Sequence, residues 1–453
     1  YSLQSIIGIS GLNTSSVTDI RRMFYDCRSL NSLDVSRFNT GQCRSMEGMF
    51  YSCRRLTELD VSGFSTENVT NMRNMFSGCT SLERLDVSRF RTDNVSDMSM
   101  MFRACGKLQA IDLSGFSFKS LKNASEMFYS AGIQEIEIPH FKAPLLKDAK
   151  RMFYQSGVKS IRISDFCCGS GCKLDRMFSC SNLKNLMLED FDASNATSMN
   201  SMFMECTELE SLDLSGMTTG SVTDMNSMVF NSSKLKTLTM DGITTSEVTD
   251  MGFMFTGCVA LKRLDLSSFD TRKVTKMPLM FSNCVSLEEL NLSSFRTPSL
   301  TNMSSMFYRC VSLRSIDMSS FSTENVQFFS ELFYNCRSLT YLDLSGFSGK
   351  SARAAGSMFR GCTNIISIDI RNMCLENLLP EKTSSSNIDG AQRMFEECRS
   401  LKTLYMDLTG EAGYSVSNMF NQVTGPLELY VKDGRIDEKV RKELPAQCSI
   451  IPL

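Results

Sequence analysis

Thr66-Glu67-Asn68-Val69-Thr70-Asn71-Met72-Arg73-Asn74-Met75-Phe76-Ser77-Gly78-Cys79-Thr80-Ser81-Leu82-Glu83-Arg84-Leu85-Asp86-Val87-Ser88-Arg89-Phe90 is one copy of a pattern that recurs along the whole chain. Its Met-Phe pair returns sixteen times, from Met23-Phe24 to Met419-Phe420, with Met228-Val229 and Leu332-Phe333 as variants. The interval is 25 or 26 residues, except for 36 between Met358 and Met394. A fixed period of this size is the signature of a solenoid, in which each unit packs only on its neighbours and no single core has to grow.

Two periodicities alternate within the copy. Val69, Met72, Phe76 and Cys79 fall at helical spacing and predict a short helix or helical turn, with Asn68 or Thr70 able to cap it. Leu82, Leu85 and Val87 then change to the two-residue period of a strand, with Asp86 and Ser88 turned outward. Every copy presents the same order, so successive strands align in parallel. The expected fold is an α/β repeat solenoid: a right-handed coil of leucine-rich type, about 16 repeats long. It carries a parallel β-sheet on one face and short helices or turns on the other. Residues 1–431 form the solenoid, with an insertion at about 373–388, and 432–453 form a C-terminal cap.

Net charge is −2, with no strongly basic half, which argues against nucleic acid or an anionic membrane as partner. No run of eighteen apolar residues exists to span a bilayer. Twelve of the eighteen cysteines follow Met-Phe at a nearly fixed offset, from Cys27 to Cys398, with Cys180 one residue early. Ala131, Ser156 and Ser232 replace them in three repeats, which marks a small buried site and free thiols rather than a disulfide framework. Cys167-Cys168-Gly169-Ser170-Gly171-Cys172 has poor spacing for tetrahedral zinc, so no metal is expected there.

The stretches NVTNMRNMFSGCTSLERLDVSRF (68–90) and NMSSMFYRCVSLRSIDMSSFSTENV (302–326) resemble the BspA-like leucine-rich-repeat surface proteins. That likeness extends over roughly residues 7–431. It implies a secreted or surface-attached protein concerned with adhesion, and it defines no catalytic residues. Attachment to a surface rests on the resemblance alone.

The scaffold repeats, so purpose is sought where the repeat breaks. The outward Asp of the strand recurs as Asp34, Asp60, Asp86 and Asp112, then becomes Glu137, Arg162 and Met187 in three consecutive copies. Those copies also carry the sole histidine, His140. Acid, base and apolar groups side by side suit protein recognition. The regular Asp row reads either as a cation ridge or as a solubilising face, and lacks the convergence that Ca²⁺ requires. The insertion offers Leu375, Leu378 and Leu379 as a second partner-binding candidate, since solenoid insertions often carry function. A single histidine and no nucleophile, zinc or phosphate-loop motif leave no basis for an enzyme, and no cofactor is expected. The expected function is non-catalytic binding of a protein or glycan on another cell or matrix, with self-association as the alternative.

Overall fold

The computed structural model describes residues 3–379, 390–407 and 413–453. The chain forms two compact units, Tyr1–Val222 and Thr223–Leu453. In unit 1 the strands are β1 (Glu135–Ile138), β2 (Ser160–Ser164), β3 (Cys172–Lys173), β4 (Asn185–Glu189), β5 (Ala196–Ser198) and β6 (Ser211–Asp213). In unit 2 they are β7 (Thr237–Thr239), β8 (Arg263–Asp265), β9 (Glu289–Asn291), β10 (Tyr341–Asp343), β11 (Ser367–Ile370), β12 (Thr403–Met406), β13 (Leu427–Val431) and β14 (Cys448–Pro452). Within each unit the strand pairs are parallel: β1-β2-β4 and β3-β5 in unit 1, β8-β9 and β10-β11-β12-β13-β14 in unit 2. The fold is the parallel leucine-rich-type coil that the repeat implies.

The Met-Phe segment departs from the expected helix. Among the described residues the one α-helix is α1 (Glu438–Glu443), between β13 and β14. In Met72–Cys79, Met75, Ser77 and Cys79 donate their N–H groups to the carbonyls of Met72, Asn74 and Phe76 three residues back. The alternate N–H groups, on Met72, Asn74, Phe76 and Gly78, donate to Asp97, Ser99, Met101 and Arg103 of the next coil at 2.7–3.0 Å. The segment is therefore a ribbon of consecutive turns, stitched to the next coil through every second residue. An α-helix would spend the same donors on itself and leave nothing for its neighbour.

Two residues per ribbon pay for this with left-handed backbone, Asn74 (φ 57°) and Gly78 (φ 76°) in this copy. Met100, Phe253 and Leu279 hold the first position in other coils although they are not glycines. Each such residue costs about 1–2 kcal/mol, a strain that the inter-coil bonds offset. The ribbon turns Met72, Phe76 and Cys79 to one side, as a helix would, which is why the spacing reads as helical.

That side is the core. Phe24, Phe50, Phe76, Phe102, Phe128, Phe153, Phe178 and Phe203 stack in unit 1 with ring centroids 5.3–5.7 Å apart. Phe255, Phe281, Phe307, Phe333, Phe359, Phe395 and Phe420 do the same in unit 2 at 5.1–5.9 Å. Beside the rings runs the thiol column. Cys53, Cys79 and Cys105 donate to the carbonyls of Phe24, Phe50 and Phe76 one coil back, at 3.1–3.2 Å. Cys284, Cys310 and Cys336 repeat the contact in unit 2. A thiol is small enough for the slot and supplies the weak donor that the carbonyl needs. In the seventh copy Ser181, not Cys180, takes this place and donates to Phe178 O at 2.7 Å. Cys180 is left half-buried at a left-handed ribbon position.

A third column holds the opposite corner. Thr66, two residues after Phe64, donates its hydroxyl to Arg91 O at 2.9 Å and accepts from Arg91 N–H at 2.7 Å. Thr92, Thr271 and Thr297 make the same double contact to the coil that follows each. The outward Asp row has a local role too. Ser36, Ser62 and Ser88 each donate both N–H and hydroxyl to the carboxylate of Asp34, Asp60 and Asp86 two residues earlier. This Asx turn bends the chain to the next corner. These bonds hold the three carboxyls below their usual range. In these coils each Asp of the row therefore holds a turn.

Thr92→Val should lower the stability of unit 1 by about 2–4 kcal/mol in urea unfolding, because the Ser117 N–H and C=O both lose a buried partner, whereas Thr92→Ser should be close to neutral. Acid should weaken the same unit. A carboxyl whose folded value is depressed contributes stability above its unfolded value and loses it as pH falls through the folded one, so the urea midpoint should drop between about pH 5 and pH 3. Asp86→Asn, which keeps the acceptor, should fold normally and make that drop smaller.

Candidate partner-binding surface

The repeat changes where coils shorten to 25 residues. Between Ala131 and Ile133, and between Ser156 and Val158, a single glycine replaces the usual two residues. Gly132 and Gly157 donate directly to the Cys105 and Ala131 carbonyls of the preceding coil, at 3.0 and 2.8 Å. A Cβ on Gly132 would collide with the Gly106 carbonyl, so the join demands glycine. The strands that follow lack the Asp-x-Ser turn. β1, β2 and β4 accordingly run for 4, 5 and 5 residues, where β8 and β9 stop after 3. At their ends a left-handed residue makes the turn instead: His140 (φ 53°), Asp165 (φ 55°) and Asp190 (φ 50°).

The register brings Glu137, Arg162 and Met187 into one cross-strand row on the outer face. Ile136, Ile138, Ile161 and Ile163 fill the inner face. Arg162 reaches Glu189 at 3.1 Å and Glu137 at 3.8 Å. All three charged side chains are about half exposed or more, so these pairs contribute at most about 1 kcal/mol each and serve to fix the guanidinium in place. Met187 is 52% exposed beside them. His140 follows β1: its Nδ1 lies 2.5 Å from Asp165 Oδ2, and its backbone N–H donates to Ser164 Oγ at 3.2 Å. The imidazole holds the Asp165 carboxyl below its usual range. Glu137, Arg162 and Met187 therefore share one surface in unit 1, and His140 stands three residues beyond Glu137, paired with Asp165.

The same unit has a shallow depression of about 770 Å³ lined by Glu83, Arg84, Leu85, Asp86, Lys107, Gln109 and Ala110. Ala110 opens it by standing where neighbouring coils have Arg84 and Glu135. No sequence motif announced this feature; a small residue in an outward row of long ones was the available signal.

The second candidate is corrected. Leu375 and Leu378 are 3% and 5% exposed and belong to the core, not to a protruding loop. Leu378 N–H donates to Leu375 O, as Val326 does to Thr323 O in a regular coil. Leu379 N–H donates to Arg353 O, so the repeat holds through that residue. Two leucines at core spacing resemble an exposed apolar loop only if the insertion is placed too early. Residues 380–389, which carry the rest of the inserted sequence, lie outside the described residues.

All eighteen cysteines are free thiols. Cys168 and Cys172 are buried and Cys167 is half-buried, and among the described residues no group of three His, Cys, Asp or Glu side chains converges to hold a metal. Burial pushes the column thiols up, Cys105, Cys206, Cys258, Cys310 and Cys362 to about 12. None of these is a thiolate nucleophile near neutral pH. Among the described residues no helix is long and apolar enough to cross a membrane.

The model of the family described as "Mycoplasma protein of unknown function, DUF285" matches residues 3–64, 52–166, 157–264 and 249–373. No curated protein matches the chain. Among solved structures, a leucine-rich repeat protein from Bacteroides ovatus aligns at 17% identity over 82% of this chain and 82% of its own, with a TM-score of 0.43. A leucine-rich repeat protein from Eubacterium ventriosum aligns at 14% identity over 62% of this chain and 83% of its own, with a TM-score of 0.30. A leucine rich cell surface protein from Faecalibacterium prausnitzii aligns at 16% identity over 91% and 81%, with a TM-score of 0.23.

Alkylation of the native protein at about pH 8, followed by peptide mapping, should leave Cys79, Cys105, Cys284 and Cys310 unmodified, and urea should expose all four. Rapid native labelling of these residues would contradict their place in the core.

Proposed function

The chain belongs to the DUF285 family, and we propose that it is a non-catalytic binding scaffold that engages a macromolecular partner through the outer face of β1, β2 and β4. The finer reading, an adhesin-like protein acting at a cell surface or after secretion on a protein or glycan, draws on the BspA-like resemblance of the repeat.

The row Glu137–Arg162–Met187 carries the proposal. It is a pre-positioned guanidinium between two carboxylates, next to an exposed thioether, on a backbone held by strand pairing. Arg and Met are enriched where proteins recognise one another, and a rigid platform lowers the entropy lost on binding. The three strands place these groups at one strand spacing, about 4.8 Å apart. The mixture of charges favours a protein over a uniformly charged polymer. His140 and Asp165 pair at the turns that end β1 and β2, and the column thiols are buried.

Arg162→Glu combined with Met187→Asp should abolish or weaken at least tenfold the capture of specific partners from extracellular and cell-surface fractions, with the thermal transition unchanged because both side chains are exposed. Asp265→Asn serves as a control in unit 2. If the double variant holds every partner that the unmodified chain holds, the β1-β2-β4 face is not the binding surface.

A further inference from the structure

Cys168 and Cys172 are both buried at one corner of the seventh coil, in unit 1. The register shows which corner it is. Cys167 pairs with Lys142 of the coil before and with Asp192 of the coil after, so Cys168 lies between Ala143 and Ala193. Cys172 pairs with Ala196. In the copy at 66–90 these two corner positions hold Thr66 and Val69.

Span and space both suit a bond between the two sulfurs. Leu146 N–H donates to Ala143 O, and Ala196 N–H donates to Ala193 O, each at 2.9 Å. Each pair thus ends a turn whose Cα atoms lie within about 7 Å. Cys168 and Cys172 stand in register with those ends, and a disulfide needs Cα atoms about 4.4–6.8 Å apart. Three residues separate them instead of two, and Gly169-Ser170-Gly171 absorbs the extra one. Gly171 is left-handed (φ 75°), and a Cβ on Gly169 would meet the Pro144 carbonyl at 2.8 Å. Around the pair, Ala143, Ala193 and Ala196 are all small, so no bulky side chain of those positions wedges between the thiols. Cys168 is the side-chain hydrogen-bonding neighbour that, together with burial, pushes the Cys172 thiol up.

We propose that Cys168 and Cys172 are a modification site, closed to an intramolecular disulfide by an oxidant of the disulfide class such as glutathione disulfide. Each thiol gives up one proton, and the pair passes two electrons to the oxidant. The Sγ–Sγ bond forms as the oxidant's own S–S bond breaks, and the oxidant leaves as two thiols. The bridge closes the ring Cys168-Gly169-Ser170-Gly171-Cys172 within one corner. It pins the coil at the point where the β3-β5 register shifts, between Cys172 and Lys173. The inference stands apart from the partner surface, since it needs only the corner geometry and an oxidant.

The other thiols of the unit are placed differently. Cys79 and Cys105 each donate to a carbonyl one coil back, and their equivalents stack with Cβ atoms pointing the same way, which suits the disulfide torsion poorly. Cys167 is adjacent to Cys168 in sequence, and the alternation of extended backbone turns it to the opposite side, where it is half-buried. Cys168 and Cys172 alone in this motif face the same interior corner.

The chain is refolded from urea at about pH 8 in a mixture of glutathione and glutathione disulfide, then alkylated in urea and mapped by peptide mass. One bridged peptide should appear, Cys168 to Cys172, lighter by about 2 Da than its dithiol, with Cys167 and the column thiols alkylated. Cys167→Ser should keep the bridge. Cys168→Ala, which copies Ala143 and Ala193, should fold and lose it. The bridged chain should melt about 4–8 °C above the same chain refolded in dithiothreitol, and the two preparations of Cys168→Ala should melt together. A chain in which Cys168 and Cys172 are both alkylated after oxidative refolding, or in which Cys167 supplies one end of the bridge, overturns the proposal.

Discussion

The hydrogen bonds that each turn ribbon donates to the next coil are the constraint on which the rest depends. In Met72–Cys79 every second N–H leaves its own coil. That arrangement fixes the coil spacing, and the spacing then brings the Phe rings within 5.3–5.7 Å of one another in unit 1. It also sets the thiol under a carbonyl and the threonine hydroxyl between a donor and an acceptor. Left-handed residues such as Asn74 and Phe253 are tolerated because the surrounding bonds over-determine them. Regular strands are a lesser part of the lattice. Many coils have no assigned strand at all, and the ribbon and corner bonds hold them in register.

Against this lattice the β1-β2-β4 surface is a local relaxation of the rule. One residue is lost at the joins marked by Gly132 and Gly157, and the Asp-x-Ser turn is lost with it. The strands lengthen, pair more fully, and display Glu137, Arg162 and Met187 instead of a turn-capping carboxylate. The sequence change that creates a distinctive chemistry is the same one that stiffens the backbone beneath it. A scaffold for recognition needs both, since a rigid platform loses less entropy on binding.

The sequence by itself determined the period, the parallel coil, the buried Phe and thiol columns and the place where the pattern breaks. Each of these follows from repetition: identical spacing forces identical environments, so the columns could be named before any coordinate. It also brought Glu137, Arg162 and Met187 together, because a cross-strand row is a consequence of register. Only the tertiary structure decided that Met-Phe segments are turn ribbons and not helices, since both turn Met72, Phe76 and Cys79 the same way and differ in where the N–H groups go. It moved Leu375 and Leu378 from surface to core, because a core position shared with Thr323 and Val326 is defined by hydrogen bonds that no spacing shows. It revealed why Asp-x-Ser and Phe-x-Thr recur, as bonds to the backbone two residues on or one coil away. Those partners are chosen by geometry, and geometry exists only once neighbouring coils have met.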